Sequence, residues 1–227
     1  MRRIVKADLH MHTSFSPDSL MPPARMVQRC VATGLTCIAV TDHNTLRGAL
    51  EVRRLAPFTV IVGEEIKTSA GELVGLFLRE EVPRGLSPEE TAQRVHRQGG
   101  LVALPHPFDR FRRSVMTAQG REEVRPYVDI VEVFNARNTL QEANRRAVAL
   151  AEEWGVLGSA VSDSHTPWEL GRTYMELPEF DGTAEGFKAA LAQAHLVTRP
   201  ITPLIHVLTT LTKLRKRLRG ASTPTPA

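Results

Sequence analysis

Six short clusters of histidine, aspartate and glutamate recur along the chain, nearly all directly after an apolar run of strand length. They are Asp8-Leu9-His10-Met11-His12 with Asp18 behind it, Thr41-Asp42-His43, Gly63-Glu64-Glu65, Pro105-His106-Pro107, Glu132-Val133-Phe134-Asn135 and Ser162-Asp163-Ser164-His165. Five of the eight histidines lie in them. Imidazole together with carboxylate is the ligand set of zinc, manganese and iron. At the ends of successive strands, such residues describe a metal site at the mouth of a barrel.

The spacing within the clusters supports that chemistry. In an extended segment residues i and i+2 point to one side, so His10 and His12 can reach a single ion, and Asp163 and His165 repeat the geometry at the far end of the chain. A lone H-x-H is more often two solvated loop histidines; the recurrence of ligand types after five other apolar runs overturns that reading here. Glu64 and Glu65 alternate in direction, so only one faces the mouth, and two adjacent buried acids without cations would be costly. Asp42 is expected to orient a ligand histidine rather than bind an ion. His106 sits in a stiff turn between two prolines. The candidate metal ligands are therefore His10, His12, Asp18, His43, Glu65, His106, Asp163 and His165. One zinc or manganese takes about four to six ligands, so eight imply at least two ions. Two ions roughly 3.5–4 Å apart are the usual tool for hydrolysing phosphate esters.

The elements that must position these residues alternate between strand and helix patterns. Strands are expected at Ile4–Leu9, Thr36–Thr41, Phe58–Val62, Glu72–Leu78, Leu101–Leu104, Asp129–Phe134 and Val156–Val161, with the fourth a hairpin partner of the third across Ala70-Gly71. Helices are expected at Pro22–Thr33, ended by Gly34; from Asn44 or Thr45 to about Leu55; from the capping box Ser87-Pro88-Glu89-Glu90 to Gly99; at Leu140–Trp154; and at Thr183–Ala194. This order predicts an α/β fold with a mainly parallel sheet, and runs such as Cys37-Ile38-Ala39-Val40 fit strands buried on both faces.

With 227 residues, 42% hydrophobic and 24% charged, the chain fits one globular domain, expected over residues 1–200, plus a tail at 201–227. No apolar stretch approaches the roughly 20 residues of a transmembrane helix, and Met1-Arg2-Arg3 leads directly into strand-like sequence without a signal peptide, so the expected location is cytoplasmic. Cys30 and Cys37 read as small buried apolar residues, not as a disulfide. The net charge of +4 is a property of the tail: Lys213, Arg215, Lys216, Arg217 and Arg219 contribute five positive charges, and the remainder sums to −1. Leucines and valines at helical spacing from Leu204 make this a basic amphipathic helix, followed by a short disordered end at Ala221–Ala227. A solvated helix is favoured over a nucleic-acid or membrane contact by about two to one.

The ordered set H-x-H, Asp, T-D-H, G-x-E, H-P and S-D-x-H resembles the PHP (polymerase and histidinol phosphatase) superfamily over about residues 4–178. That resemblance implies a distorted (β/α)7 barrel with two or three divalent ions (Mn²⁺, Zn²⁺ or Fe²⁺) at the C-terminal ends of its strands. It assigns His10, His12, Glu65 and Asp163 to a first ion, Glu65 and His106 to a second, and Asp18, His43 and His165 to a third. Three-ion members supply a further histidine near strand five, where this chain has Asn135. The implied activity is hydrolysis of a small phosphomonoester, nucleotide-like ones included, by metal-bound hydroxide.

Phosphate also calls for permanent cations. Arg110 in Phe108-Asp109-Arg110-Phe111-Arg112-Arg113 and Arg137 after Asn135 sit beside expected site loops, and arginine suits bidentate phosphate binding. Asp163, His165, Arg137 and Arg110 are the expected catalytic residues, with Arg112 and Arg113 evenly balanced between site and surface. His96, His195 and His206 are read as solvated, and Glu132 as a partner for a cation in the barrel interior. A nuclease of the same superfamily, reaching nucleic acid through the basic tail, is the main alternative. A C–N hydrolase and a non-catalytic metal-binding module are weaker ones, because none of the five lysines stands where a carboxylated lysine would be expected and a structural site needs only four closed ligands.

Overall fold

The computed structural model describes residues 4–202, 205, 209–212 and 214–216. Its elements follow in the order β1 (Ile4–Asp8), α1 (Pro23–Thr33), β2 (Cys37–Val40), α2 (Arg47–Leu55), β3 (Thr59–Lys67), β4 (Glu72–Leu76), α3 (Pro88–Arg97), β5 (Leu101–Leu104), α4 (Ala118–Val124), β6 (Ile130–Asn135), α5 (Gln141–Trp154), β7 (Leu157–Val161), β8 (Tyr174–Pro178), α6 (Ala184–Leu191) and β9 (His195–Val197). They form one sheet in the order β7-β6-β5-β4-β3-β2-β1-β8-β9. β1, β2, β3, β5, β6 and β7 all run the same way, whereas β4 is antiparallel to both its neighbours and β8 and β9 continue beyond β1 as antiparallel strands. Met11, just past β1, bridges Ser164, just past β7, and His12 N donates to Ser164 O at 2.8 Å. That contact draws the two sides of the sheet together, and the α/β fold is a nearly closed barrel. The expected seven strand–helix units are interrupted at β4, which follows β3 through a hairpin with no helix between.

Two apolar layers result from the alternation along each strand. Ile38 and Val40 of β2 face outward onto Met26, Val27 and Cys30 of α1 and Val52 of α2. Cys37 and Ala39 of the same strand face inward with Ala7, Ala103 and Ala160, small side chains that suit a narrow barrel. Phe187 of α6 fills the end of the barrel where the parallel strands begin, fully buried against Phe77 and Phe180. Burying a ring of this size contributes roughly 2–3 kcal/mol. Helix ends follow their sequence signals: Gly34 closes α1 at φ 75°, and the Ser87 hydroxyl accepts the Glu90 N–H at 3.1 Å at the start of α3. α2 starts at Arg47 without a side-chain cap, and Asn44 instead uses its amide oxygen to accept the Lys67 N–H. Both cysteines are free and buried, and burial pushes each thiol up to about 12. No helix among the described residues is long and apolar enough to cross a membrane.

Asp129, just before β6, ties the barrel's lower rim. It accepts from Val102 N at 3.0 Å and Lys188 Nζ at 2.7 Å and lies 2.9 Å from His96 Nε2. Burial would raise its pKa, but hydrogen bonds from His96 and Lys188 outweigh it and hold the carboxyl down to about 2. A depressed folded pKa adds stability that is present above the unfolded value and lost as pH falls through the folded one. With both side-chain partners part-exposed, the contribution is discounted to roughly 1 kcal/mol. Asp129→Asn is therefore expected to lower unfolding stability by about that amount at pH 7, with the difference from wild type shrinking between pH 4 and 2. A difference that stays constant down to pH 2 in denaturant titrations would refute this.

Beyond β9, residues 198–202 carry no helix or strand, and Ile205, 209–212 and 214–216 are helical. His206, Lys213, Arg217, Arg219 and the expected disordered end at 221–227 lie outside the described residues.

Candidate metal centre

The parallel strands present their C-terminal ends to one mouth, and all eight expected ligands gather there. His10 and His12 follow β1, His43 follows β2, Glu65 lies near the end of β3, His106 follows β5, and Asp163 and His165 follow β7. Asp18 comes from the loop after β1. All are buried except His43, which is partly exposed. Two of the four non-glycine residues with positive φ among the described residues are His106, at 30°, and Asp163, at 51°. Backbone held in that region costs on the order of 1–3 kcal/mol and concentrates at functional sites.

Three sets of side chains bring their ligand atoms within 4.8 Å of one another: His10, His12 and Asp163; His12, Asp18, His43 and His165; and His43, Glu65 and Glu72. His10 Nε2 and His12 Nε2 face each other at 3.0 Å. Two imidazoles on one tetrahedral ion hold their nitrogens roughly 3.3 Å apart, given metal–nitrogen bonds of about 2.0–2.1 Å. Glu65 Oε2 and Asp163 Oδ1, both buried, accept no hydrogen bond among the described residues and meet the His10 and His12 nitrogens only at 3.4–3.7 Å. His106 lies 3.1 Å from Glu65 Oε1, and its buried Nδ1 has no partner among the described residues. Buried acceptors without donors, aimed at imidazole nitrogens, fit divalent cations.

The electrostatics point the same way. Burial disfavours charge on His10, but the carboxylates of Glu132, Asp163 and Glu65 hold its pKa well above the usual histidine range. Burial likewise opposes the Glu65 charge, yet His43 and His10 bring that carboxyl well down. For Asp163, Arg112 and His10 outweigh burial in the same direction. His165 is the exception. Burial and then the Arg137 guanidinium push it down to about 3, so its imidazole stays neutral, with Nε2 3.3 Å from Asp18 Oδ1.

Further residues position this set. Asp42 accepts from Thr13 N at 2.8 Å and from the Thr13 and Ser16 hydroxyls at 2.6 Å, and Ser16 Oγ is 3.0 Å from His12 Nδ1. Through Ser16 it is linked to His12, the arrangement that orienting a candidate ligand histidine would need. Glu132 faces His10 Nδ1 at 2.5 Å through Oε1, while Oε2 accepts from His106 N and Asn135 Nδ2 at 2.9 Å. Its role is to aim His10, and the expected interior cation is this imidazole. Losing such a partner typically costs 10–100-fold in metal affinity. Glu132→Gln is expected to weaken Mn²⁺ or Zn²⁺ binding by about that factor, and unchanged affinity in calorimetric titration would count against it. Asn135 stands behind the ligands, donating to Glu132 and to Asp163 Oδ2 at 3.1 Å.

The arginines are arranged differently from the expectation. Arg110 is exposed and lies with Arg146 and Glu142 on the outer side of its loop. Arg112 turns inward instead, pairing with Asp163 and with Asp109. Arg112, Arg113 and Arg137 line a cleft of about 640 Å³ that also contains Asp18, His43 and His165. Arg137 is buried, in contact with His165 Nδ1, 3.3 Å from Glu169 Oε1 and 3.3 Å from Thr209 Oγ1. Sequence reasoning missed Glu169, which accepts from His165 N and Thr166 N, and Glu72, 3.8 Å from His43. Of the remaining histidines, His96 and His195 are exposed.

An α/β barrel whose strand ends converge on a buried histidine–carboxylate cluster defines the class. The PHP domain model matches residues 8–160 and a PHP-associated model matches 141–195. The chain belongs to the PHP domain family. It is 38% identical over 180 residues to one uncharacterized protein of Methanocaldococcus jannaschii (78% of this chain, 72% of that one) and 41% identical over 145 residues to another (58% and 82%). A shorter match, 36% over 67 residues, covers 28% of this chain and 24% of a 5'-3' exoribonuclease of Haemophilus influenzae. A two-domain protein from Bacteroides vulgatus containing a predicted PHP-like metal-dependent phosphoesterase superposes with a TM-score of 0.70 at 20% identity, covering 95% of this chain and 70% of that one. At that identity the likeness concerns the fold.

Proposed function

We propose that this chain is a metal-dependent phosphoesterase that hydrolyses a phosphomonoester. The observation that carries the reading is a single cleft in which Asp18, His43, Glu72 and His165, at the edge of the histidine–carboxylate cluster, share walls with Arg112, Arg113 and Arg137. In this reading His10, His12, Glu65 and Asp163 hold one ion, Glu65 and His106 a second, and Asp18, His43 and His165 a third, with Glu72 an added ligand beside His43. Divalent ions bound there supply Lewis acidity and an acidified water. The chain's own residues then bind and orient. Arg113, which makes no ion pair among the described residues, and Arg112 bind the non-bridging oxygens, and Arg137 fixes His165. Arg110 serves as an outer contact at most.

The test is phosphate release from a panel of phosphomonoesters with Mn²⁺ or Zn²⁺ added. Release that stops on chelation and returns with the ion supports the reading. Absence of release from every ester, with ions bound, rules it out.

A nuclease is the second reading, favoured by where the basic segment lies. Lys216 Nζ donates to the carbonyls of Ser14 and Ser16 at 2.7 and 2.5 Å, in the loop that carries Asp18. A nucleic-acid substrate would make cleavage of oligonucleotides fall steeply with salt.

A further inference from the structure

A second cavity, of about 330 Å³, opens beside the metal centre and shares Asp18 and His165 with the arginine-lined cleft. Its character is different. Its apolar lining includes Leu20, Pro22, Pro167 and Leu211, and Arg215 also lines it. Leu211 and Arg215 lie beyond both segments that match the family models. Nothing in the ion-binding or phosphate-binding geometry uses these residues, and Leu20 and Leu211 are 43% and 55% exposed, apolar side chains facing water next to a charged site.

Such a pocket is of the size that binds small organic groups, with apolar walls and a few polar groups fixing orientation. We infer that it seats the organic part of the substrate and that this part is a flat aromatic or heteroaromatic ring. The substrate class is then an aryl or heteroaryl phosphomonoester rather than a polyol phosphate, an inference that rests on the phosphoesterase reading above. Two features favour a ring over an alkyl chain. Two prolines offer flat, rigid faces with no side-chain entropy to lose. Arginine stacks on aromatic planes, and Arg215 is placed to do so. Asp18 and His165 line both this pocket and the arginine-lined cleft, so a group seated here adjoins residues proposed to hold an ion. Leu211 and Arg215 come from the C-terminal segment, which makes that segment a specificity element.

The experiment is calorimetric binding of phenyl-, butyl- and methylphosphonate to the full chain loaded with Mn²⁺. Phenylphosphonate is expected to bind about tenfold or more tightly than methylphosphonate, with butylphosphonate between them. Leu211→Asp is expected to bring the phenyl-to-methyl ratio toward one, its folding checked by circular dichroism. Equal affinities for phenyl and methyl, an unchanged ratio in the variant, or no binding of any phosphonate would overturn the pocket. Butyl binding as tightly as phenyl would overturn the ring. Because these ratios are read without turnover, they stand or fall separately from the phosphate-release assay.

Discussion

Asp163→Asn is expected to lower kcat/KM for phosphate release by about 1000-fold or more, roughly 4 kcal/mol of transition-state stabilisation, and to reduce the bound metal per chain. The two oxygens of Asp163 have separate tasks. Oδ1 faces His10 and His12 at 3.7 and 3.6 Å, and Oδ2 is held by Arg112 and by Asn135 Nδ2. An amide of the same shape can satisfy neither arrangement fully. With its nitrogen toward the imidazoles it cannot ligate an ion; with its nitrogen toward Arg112 and Asn135 it sets donor against donor. Breaking a buried pair by removing one partner generally costs about 3–5 kcal/mol. Here the loss is smaller, because Arg112 keeps Asp109 at 3.1 Å. The variant should fold, so its metal content and kcat/KM can be compared directly with wild type. Full metal content with unimpaired turnover would remove Asp163 from the centre.

Gly48→Ala should destabilise the protein by roughly 3 kcal/mol, against the usual sign for this change. In an exposed helix interior, alanine is favoured over glycine by about 1 kcal/mol. Gly48 sits in α2 with its backbone against the Asp42 carboxylate, and a Cβ there would collide with Asp42 Oδ2 and Thr13 Oγ1. Something must shift, and what shifts is the knot that aims His12 through Ser16. Overpacking typically costs 1–3 kcal/mol, and disturbed hydrogen bonds to a charged group add about 1.5–3. Urea denaturation should show the loss, and metal content should fall with it. A variant as stable as wild type with undiminished metal would mean the helix and the Asp42 knot are independent.

The candidate cluster was legible because a parallel barrel places polar residues after its strands, and His10, His12, His43, His106, Asp163 and His165 all follow this rule. Glu72 shows where the rule stops. It begins β4, and because β4 is antiparallel its first residue, not its last, arrives at the mouth. Knowing that β4 is a hairpin partner was enough to find it; looking only behind strands was not. Glu132, inside β6, was legible as a partner for an interior cation, but which cation was not, because His10 is 122 residues away. The choice between Arg110 and Arg112 rests on the path of one loop, which spacing does not encode. β8 and β9 went unread because Tyr174–Pro178 and His195–Val197 are short and half-buried, and the expected helix over 183–194 ends at Leu191 to let β9 form. The basic segment's position beside the site depends on contacts from Lys216 to Ser14 and Ser16, some 200 residues earlier.

The bridge between Met11 and Ser164 bears on how the chain is made. A ribosome releases His10 and His12 first, and the strand carrying Asp163 only after some 150 more residues. Until then the early histidines lack Asp163 before them, and for most of that interval they lack Glu132 behind them too. Partial chains thus offer an ion only a fragment of its coordination sphere, and the site matures in one late step when the barrel shuts. Contacts this distant in sequence slow folding because the loop must close before they form. Metal supplied during synthesis should therefore speed neither β1 nor β2, but only the final joining of the first strand to the seventh.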